Sequence, residues 1–168
     1  MAGCSDAVIS HCIMVAEKAL EIAGDISIPV DMELIKAGAV NHDIGRSKTS
    51  DIEHAVVGAN IAREMGMDER VVRIIERHIG SGITKDEAEE LGLPSKNYMP
   101  EAPEEMIVAY ADNLARSDRT DSFERSLTMF KATLGEQHPA IERFIKMHEK
   151  ILSWISAAKG NKKAEGSL

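Results

Sequence analysis

Residues 32–46 read MELIKAGAVNHDIGR. The apolar and small residues of this stretch recur at helical spacing, at Leu34, Ile35, Gly38 and Ala39. Asp31 precedes them as a candidate N-cap, and Gly45 is expected to end the helix. His42 lies on the same side as the apolar residues, and Asp43 follows it directly. The stretch predicts a helix packed in the interior that presents an imidazole beside a carboxylate.

The remainder of the chain has the same periodicity, without a convincing alternating strand pattern. Further helices are predicted at residues 6–23, between Asp51 and Gly66, between Asp68 and Gly80, at 84–91, at 103–117, from Phe123 to Leu134 and from Pro139 to Ile155. Asp51, Asp68 and Thr84 are the expected N-caps of three of them. The sequence therefore predicts an all-α fold, a compact bundle of seven to eight helices.

The chain has 168 residues, of which 43% are hydrophobic and 29% charged. This length and balance are typical of one soluble globular domain. We expect that domain to span residues 1–157. Residues 158–168 are rich in Lys, Gly and Ser and are predicted to form a disordered tail.

Charge and cysteine content narrow the classes of function. The formal net charge of −8 opposes non-specific binding of long nucleic acids. Two cysteines, Cys4 and Cys12, are too few for a disulfide framework. No apolar stretch of membrane-spanning length and no signal-peptide pattern occurs, so we expect a cytoplasmic protein without a membrane partner. The oligomeric state is left open, and a homo-oligomer is compatible with the sequence.

Four of the six histidines lie on apolar helix faces: His11, His42, His54 and His78. Asp112 lies at the edge of another such face, where an uncompensated carboxylate would cost several kcal/mol or become protonated. Imidazoles and carboxylates together suit Mn, Fe, Co, Ni or Zn, with Mg as a further candidate. A single histidine on an apolar stripe is, however, more often a hydrogen-bonded core residue, and His148 lies on such a stripe too. Helical periodicity is therefore compatible with these residues as metal ligands but does not identify which residues are ligands.

The selection comes from a resemblance. Residues 41–46, NHDIGR, resemble the HDIG variant of the HD superfamily, with His11 before them and Asp112 after them in the expected order. The similarity spans roughly residues 8–117. The segments 76–80, ERHIG, and 92–94, GLP, are similar to small archaeal-type HDIG proteins whose substrates are mostly unassigned.

This resemblance implies an HD-type helical bundle with two divalent transition-metal ions and a metal-activated water. It implies His11, His42, Asp43 and Asp112 as ligands of one ion. His54 and His78 would bind the second, with Asp43 bridging the two. The implied activity is hydrolysis of a phosphate mono- or diester, on a nucleotide or a short RNA end. Asp43 or Asp112 could accept the proton of the attacking water.

Two residues after the motif are candidates for binding the substrate phosphate. Many HD relatives have a lysine directly after the glycine, where this chain has Arg46, with Lys48 two residues further on. Guanidinium and ammonium groups both bind phosphate. Solvated surface charge explains each of them equally well.

Two other functions stay open. Some HD relatives use the same six ligands to hold two irons and activate dioxygen, and an oxygen-dependent spectrum without phosphatase activity would favour such an oxygenase. The other is a catalytically silent binding or regulatory module. The complete set of six ligand residues argues against a catalytically silent module, because HD proteins that have lost their activity usually lack some of the ligands.

Overall fold

A computed structural model describes the backbone of residues 3–116 and 119–165 and the side chains of 3–116 and 119–157. Within these ranges the chain forms helices α1 (Asp6–Asp25), α2 (Met32–Asn41), α3 (His54–Glu64), α4 (Glu69–Arg77), α5 (Lys85–Glu90), α6 (Pro103–Leu114), α7 (Phe123–Leu134) and α8 (Pro139–Glu165), with a short 3-10 helix at Ile44–Ser47. The described residues contain no β-strand, only two isolated bridges. The predicted all-α fold class is confirmed.

Most helix starts follow from residues next to them in the sequence. The Asp31 side chain accepts a hydrogen bond from the backbone N–H of Leu34, and Asp68 caps α4 through the N–H of Arg70. Thr84 forms a reciprocal capping box with Glu87 at α5. These caps satisfy N–H groups that have no partner inside a helix, and all three were predicted from the sequence.

Two predictions about the segment that follows the His-Asp pair were wrong. Helix α3 begins at His54, and Asp51 lies in the preceding turn, where its carbonyl accepts from the N–H of His54. Helix α2 ends at Asn41, so Gly45 does not close it but lies inside the 3-10 helix. Gly45 is required because a side chain would not fit at this position. A Cβ on it would lie 1.9 Å from the carbonyl oxygen of His54 and 2.6 Å from the N of Gly58. The 3-10 helix therefore packs on α3 backbone to backbone.

The predicted tail at 158–168 is only partly within the described residues. The backbone of 158–165 continues α8 to Glu165. The side chains of those residues and the whole of 166–168 lie outside the described residues. The boundary of the domain at residue 157 and the disordered tail therefore stay predictions. Among the described helices, none is both long and apolar enough to cross a membrane.

Two apolar clusters fix the segments that carry the histidines. The larger one is formed mainly by α1, α2, α4 and α6. The smaller one consists of Ile83, Ala88, Leu93 and Tyr98 with Ile52, Val56 and Ile79 packed against it. Ile52 and Ile79 lie close in sequence to His54 and His78, so this cluster holds the two segments in place. The connection at residues 92–102 contributes Leu93 and Tyr98 to this cluster and is anchored by the Tyr98–Ile83 bridge and an ion pair between Lys96 and buried Glu76.

Candidate metal centre

The structure brings the six predicted ligand residues together from five separate segments. They are His11 on α1, His42 and Asp43 in the turn after α2, His54 at the start of α3, His78 at the end of α4 and Asp112 on α6. Two overlapping groups have ligand atoms that all lie within 4.8 Å of one another. One group is His11, His42 and Asp112, and the other is His42, Asp43 and His78.

Asp112 organises the first group. Its Oδ1 lies 2.9 Å from His11 Nε2 and 3.5 Å from His42 Nε2. The His11 and Asp112 side chains keep 22% and 20% of their surface exposed, whereas His42 is fully buried. The His11–Asp112 pair is therefore the edge of the centre that solvent reaches.

Asp43 organises the second group. Its Oδ1 lies 3.1 Å from His54 Nε2 and 3.6 Å from His78 Nε2. The other carboxylate oxygen, Oδ2, lies 3.7 Å from His42 Nε2. Asp43 thus faces ligand atoms of both groups, the position in which a bridging carboxylate would lie.

Three histidines are held in the same way. The Nδ1–H groups of His42, His54 and His78 each donate to a main-chain carbonyl three residues earlier, at 2.7 Å. A carbonyl can only accept, so Nδ1 carries a proton in each ring, and Nε2 points into the centre, where it offers a lone pair whenever the ring is neutral. These carbonyls belong to Ala39, Asp51 and Ile75 and could not be identified from the sequence, because any residue supplies one. Orientation of this kind is typical of metal-binding histidines.

The inward-facing atoms satisfy one another poorly. His54 Nε2 and His78 Nε2 lie 3.1 Å apart, although both are acceptors in these tautomers. His42 Nε2 and Asp43 Oδ1 are buried without a hydrogen-bond partner. Buried polar atoms in proteins are normally paired. A set of converging lone pairs and carboxylate oxygens fits a cation, so the residues present fit the divalent metal expected from the sequence.

The electrostatics of the site favour the binding of a cation. Burial would raise the pKa of Asp43, but the adjacent His54 ring and the positive charge that His42 carries when protonated hold it well below its usual range. Burial acts against ionisation of Asp112 as well, and His11 and His42 lower its pKa. Both carboxylates are therefore ionised inside the protein. Burial lowers the pKa of His78 to about 3, with a further contribution from the charge of His42. This ring is therefore neutral, and its Nε2 can donate an electron pair to a metal ion.

The two candidate phosphate-binding residues differ in what they contact. Arg46 Nε donates to Asp43 Oδ2 at 2.8 Å, and Arg46 Nη1 donates to the carbonyl of Ser50. The arginine therefore positions the carboxylate, a role that sequence reasoning missed although the spacing of three residues allows it. Lys48 is exposed on the same turn. Binding of phosphate by either residue stays a prediction.

His148 lies apart from the centre despite its apolar stripe. Its ring stacks on Phe123 with the centroids 3.6 Å apart, and its Nδ1 accepts from the hydroxyl of Tyr110 at 2.6 Å. It packs α8 against α6 and α7. His148 was predicted to have no role at the site, and its contacts are those of a half-buried packing residue.

Comparison with known proteins gives three findings at the level of sequence. The profile of the HD domain matches residues 8–117. An uncharacterized protein of Methanocaldococcus jannaschii is 49% identical over 151 residues, which cover 88% of this chain and 89% of that protein. A tRNA (cytidine(56)-2'-O)-methyltransferase of Picrophilus torridus is 45% identical over 88% of this chain, but the chain spans only 42% of that protein's length.

A solved structure has the same architecture. It is the HD domain of the L. monocytogenes phosphodiesterase PgpH in complex with cyclic-di-AMP, with a TM-score of 0.58 and 18% identity. The alignment covers 93% of this chain and 92% of that chain. At this level of identity the likeness establishes a shared fold.

Proposed function

The chain belongs to the HD-domain family, and from that premise we propose that it is a metal-dependent phosphohydrolase acting on the phosphate ester of a nucleotide or a short RNA end. One observation carries the proposal: the buried Nε2 atoms of His42, His54 and His78 converge on the carboxylates of Asp43 and Asp112, and His42 Nε2 and Asp43 Oδ1 have no hydrogen-bond partner. The phosphodiesterase domain bound to cyclic-di-AMP supports a phosphate ester as the substrate. The methyltransferase relative supports an RNA substrate.

The resemblance to HD proteins divides the donor set between two ions. His11, His42, Asp43 and Asp112 would hold one, and His54, His78 and Asp43 the other. Bound divalent ions at such a site lower the pKa of a coordinated water and offset the charge of a phosphate. The donor set does not select among Mn, Fe, Co, Ni and Zn, since neutral imidazole and carboxylate bind all of these transition metals, whereas four imidazoles make it less suited to Mg, which prefers oxygen ligands.

The protein's own residues then have distinct tasks. Asp112 lies at the exposed edge with His11, so we propose that its carboxylate takes the proton of the attacking water and passes it to solvent. Asp43 has only 6% of its side-chain surface exposed and is held by Arg46, which suits a fixed, bridging carboxylate rather than a proton carrier. The exposed face of Arg46 and the nearby Lys48 would bind the substrate phosphate.

The test is a screen of metal-reconstituted protein against nucleotides, linear and cyclic dinucleotides, and short RNAs with 5′-, 3′- or cyclic-phosphate ends. We expect hydrolysis of at least one of these classes with a transition metal, and its loss on chelation. An oxygen-dependent spectrum of the iron-loaded protein together with no phosphate release would instead identify an oxygenase. No turnover with any metal would contradict the proposed activity.

The proposed two-ion centre gives a separate prediction. Replacing either His54 or His78 with alanine should lower the metal content from two ions toward one per chain, because these residues lie only in the second ligand set. Metal analysis after anaerobic, metal-replete preparation measures this directly. His138→Ala is the matched control, since that histidine contacts the N–H of Ala140 and not the centre. A wild type that never exceeds one ion would refute the dinuclear assignment.

A further inference from the structure

Asn113 joins two of the segments that carry ligand residues. It directly follows Asp112 on α6, and it is buried, with 5% of its surface exposed. Its Nδ2 donates a hydrogen bond to the main-chain oxygen of Gly80 at 2.8 Å. Gly80 lies two residues after His78, the C-cap residue of α4. One hydrogen bond therefore connects the helix of Asp112 with the turn that follows His78.

The turn after His78 depends on glycine. Gly80 has a φ of +55° and Gly82 a φ of +92°, and both angles lie in the left-handed region that favours glycine. The N–H of Gly82 donates to the carbonyl of Ile79 at 3.0 Å and closes the turn. The carbonyl of Gly80 lies beyond the end of α4, and Asn113 supplies a donor for it.

Two other side-chain hydrogen bonds anchor the same turn to α8, which carries none of the six ligand residues. Ser81 Oγ donates to the carbonyl of Ala140 at 2.8 Å, and Arg143 Nη2 donates to the carbonyl of Gly82 at 3.2 Å. Ser81 is 2% exposed, so it is buried as deeply as Asn113. The bond from Asn113 differs from these two because its helix carries a ligand.

The position of His78 is sensitive to such an anchor. Ile74 and Ile75 pack the body of α4 into the larger apolar cluster, but His78 lies at the end of the helix. A helix end is less constrained than the interior, because its last carbonyl groups have no partner within the helix. A hydrogen bond just beyond His78 therefore limits how far its ring can move relative to Asp112. The ring lies close to the centre, with Nε2 3.6 Å from Asp43 Oδ1.

We propose that Asn113 is a positioning residue that holds His78 at a fixed distance from Asp112 and thereby sets the separation of the two metal ions. The inference rests on the proposed two-ion centre, in which Asp112 binds one ion and His78 the other. Asn113 acts through the main chain, because its bond to Gly80 fixes the turn and the turn fixes His78. Small shifts matter, since metal–ligand distances vary by only about 0.2 Å.

A pair of alanine variants tests this coupling. Asn113→Ala removes the bond between α6 and the turn, and Ser81→Ala removes a bond of equal length between the turn and α8. Mn²⁺ affinities of the wild type and both variants are measured by competition with a chelator. We expect Asn113→Ala to weaken the binding of one ion about tenfold or more, as residues behind metal ligands do when they are replaced. The other ion, and both ions in Ser81→Ala, should bind as in the wild type.

The separation of the ions has its own spectroscopic readout. Two Mn²⁺ ions held about 3.5–4 Å apart are spin-coupled, and their electron paramagnetic resonance spectrum differs from that of isolated Mn²⁺. We expect the coupled spectrum from the wild type and from Ser81→Ala, and its loss from fully loaded Asn113→Ala. Urea unfolding of the metal-free proteins should show similar losses of stability in the two variants, because each loses one buried hydrogen bond. A merely structural role of Asn113 would lower stability without changing the coupled spectrum.

A second variant covers the case that Asn113→Ala folds poorly. Asn113→Asp keeps the size of the side chain, but in its ionised form it cannot donate to the carbonyl of Gly80. Its negative charge alone would strengthen the binding of a nearby cation. Weaker binding of one ion by this variant would therefore report the lost hydrogen bond.

The outcomes separate this inference from the proposed activity. Asn113 variants that bind both ions as tightly as the wild type, with an unchanged coupled spectrum, would overturn the positioning role even if hydrolysis is found. Equal losses in Ser81→Ala would overturn it too, since the effect would then come from the turn and not from the link to Asp112. Loss of one ion and of the coupling in the Asn113 variants alone supports the role, even if no substrate of the screen is hydrolysed. A wild type that binds a single ion would overturn the two-ion centre and this inference together.

Discussion

Replacing Asp43 with alanine is expected to reduce metal-dependent hydrolysis to background and to lower the metal content. Its two carboxylate oxygens face His54 and His78 on one side and His42 on the other, so no other side chain can substitute for it. The helices should remain, because the Asp43 side chain contacts the histidines of the centre and Arg46 and makes no helix-capping hydrogen bond. The measurements are kcat/KM on the best substrate of the screen, metal analysis, and far-UV circular dichroism.

Two further variants sharpen this result. Asp43→Asn keeps the size of the side chain and one oxygen but removes the charge, and should retain some metal with little turnover. Asp86→Ala removes an exposed carboxylate on α5 and should behave as the wild type. An Asp43→Ala protein with unchanged metal content and turnover would disprove the proposed centre.

Gly45→Ala is expected to destabilise the fold by about 3 kcal/mol or more. The added Cβ would lie 1.9 Å from the carbonyl oxygen of His54 and 2.6 Å from the N of Gly58. These are backbone atoms of α3, which cannot rotate away as a side chain would, so the 3-10 helix and α3 must separate. Urea unfolding followed by circular dichroism measures the loss, and metal binding should fall with it because α3 carries His54.

Gly24→Ala is the control for this effect. Gly24 is an exposed position of α1 where an added Cβ meets nothing within 4 Å. Alanine is favoured over glycine inside a helix by up to about 1 kcal/mol, so this variant should be slightly more stable than the wild type. If both alanine variants unfolded at the same urea concentration as the wild type, the close contact at Gly45 would not exist in solution.

Local sequence chemistry was enough to predict most of the helices. Caps at Asp31, Asp68 and Thr84 act on N–H groups two or three residues away, and the apolar stripes repeat within single helices. The failures came where a distant segment decides the local structure. Gly45 was predicted to end a helix, but glycine is required there because the backbone of α3 lies against it. Asp51 was predicted to be an N-cap, but its main-chain carbonyl accepts a hydrogen bond from the His54 ring.

The ligand residues show the same division. By periodicity, His78 and His148 look alike, since both lie on apolar stripes, and only the resemblance to HD proteins separated them. The structure gives His78 a place beside Asp43 and gives His148 a stack on Phe123. The difference lies in which helices pack against each ring, which no spacing along one helix contains.

The sequence by itself determined the helical class and, through the ordered pattern of histidines and aspartates, the candidate ligands. Tertiary structure decided that His11 and Asp112, 101 residues apart, lie 2.9 Å from each other. It also decided which carbonyls orient the three buried rings. Helix formation depends on interactions within a few residues, whereas a metal centre depends on the packing of whole helices.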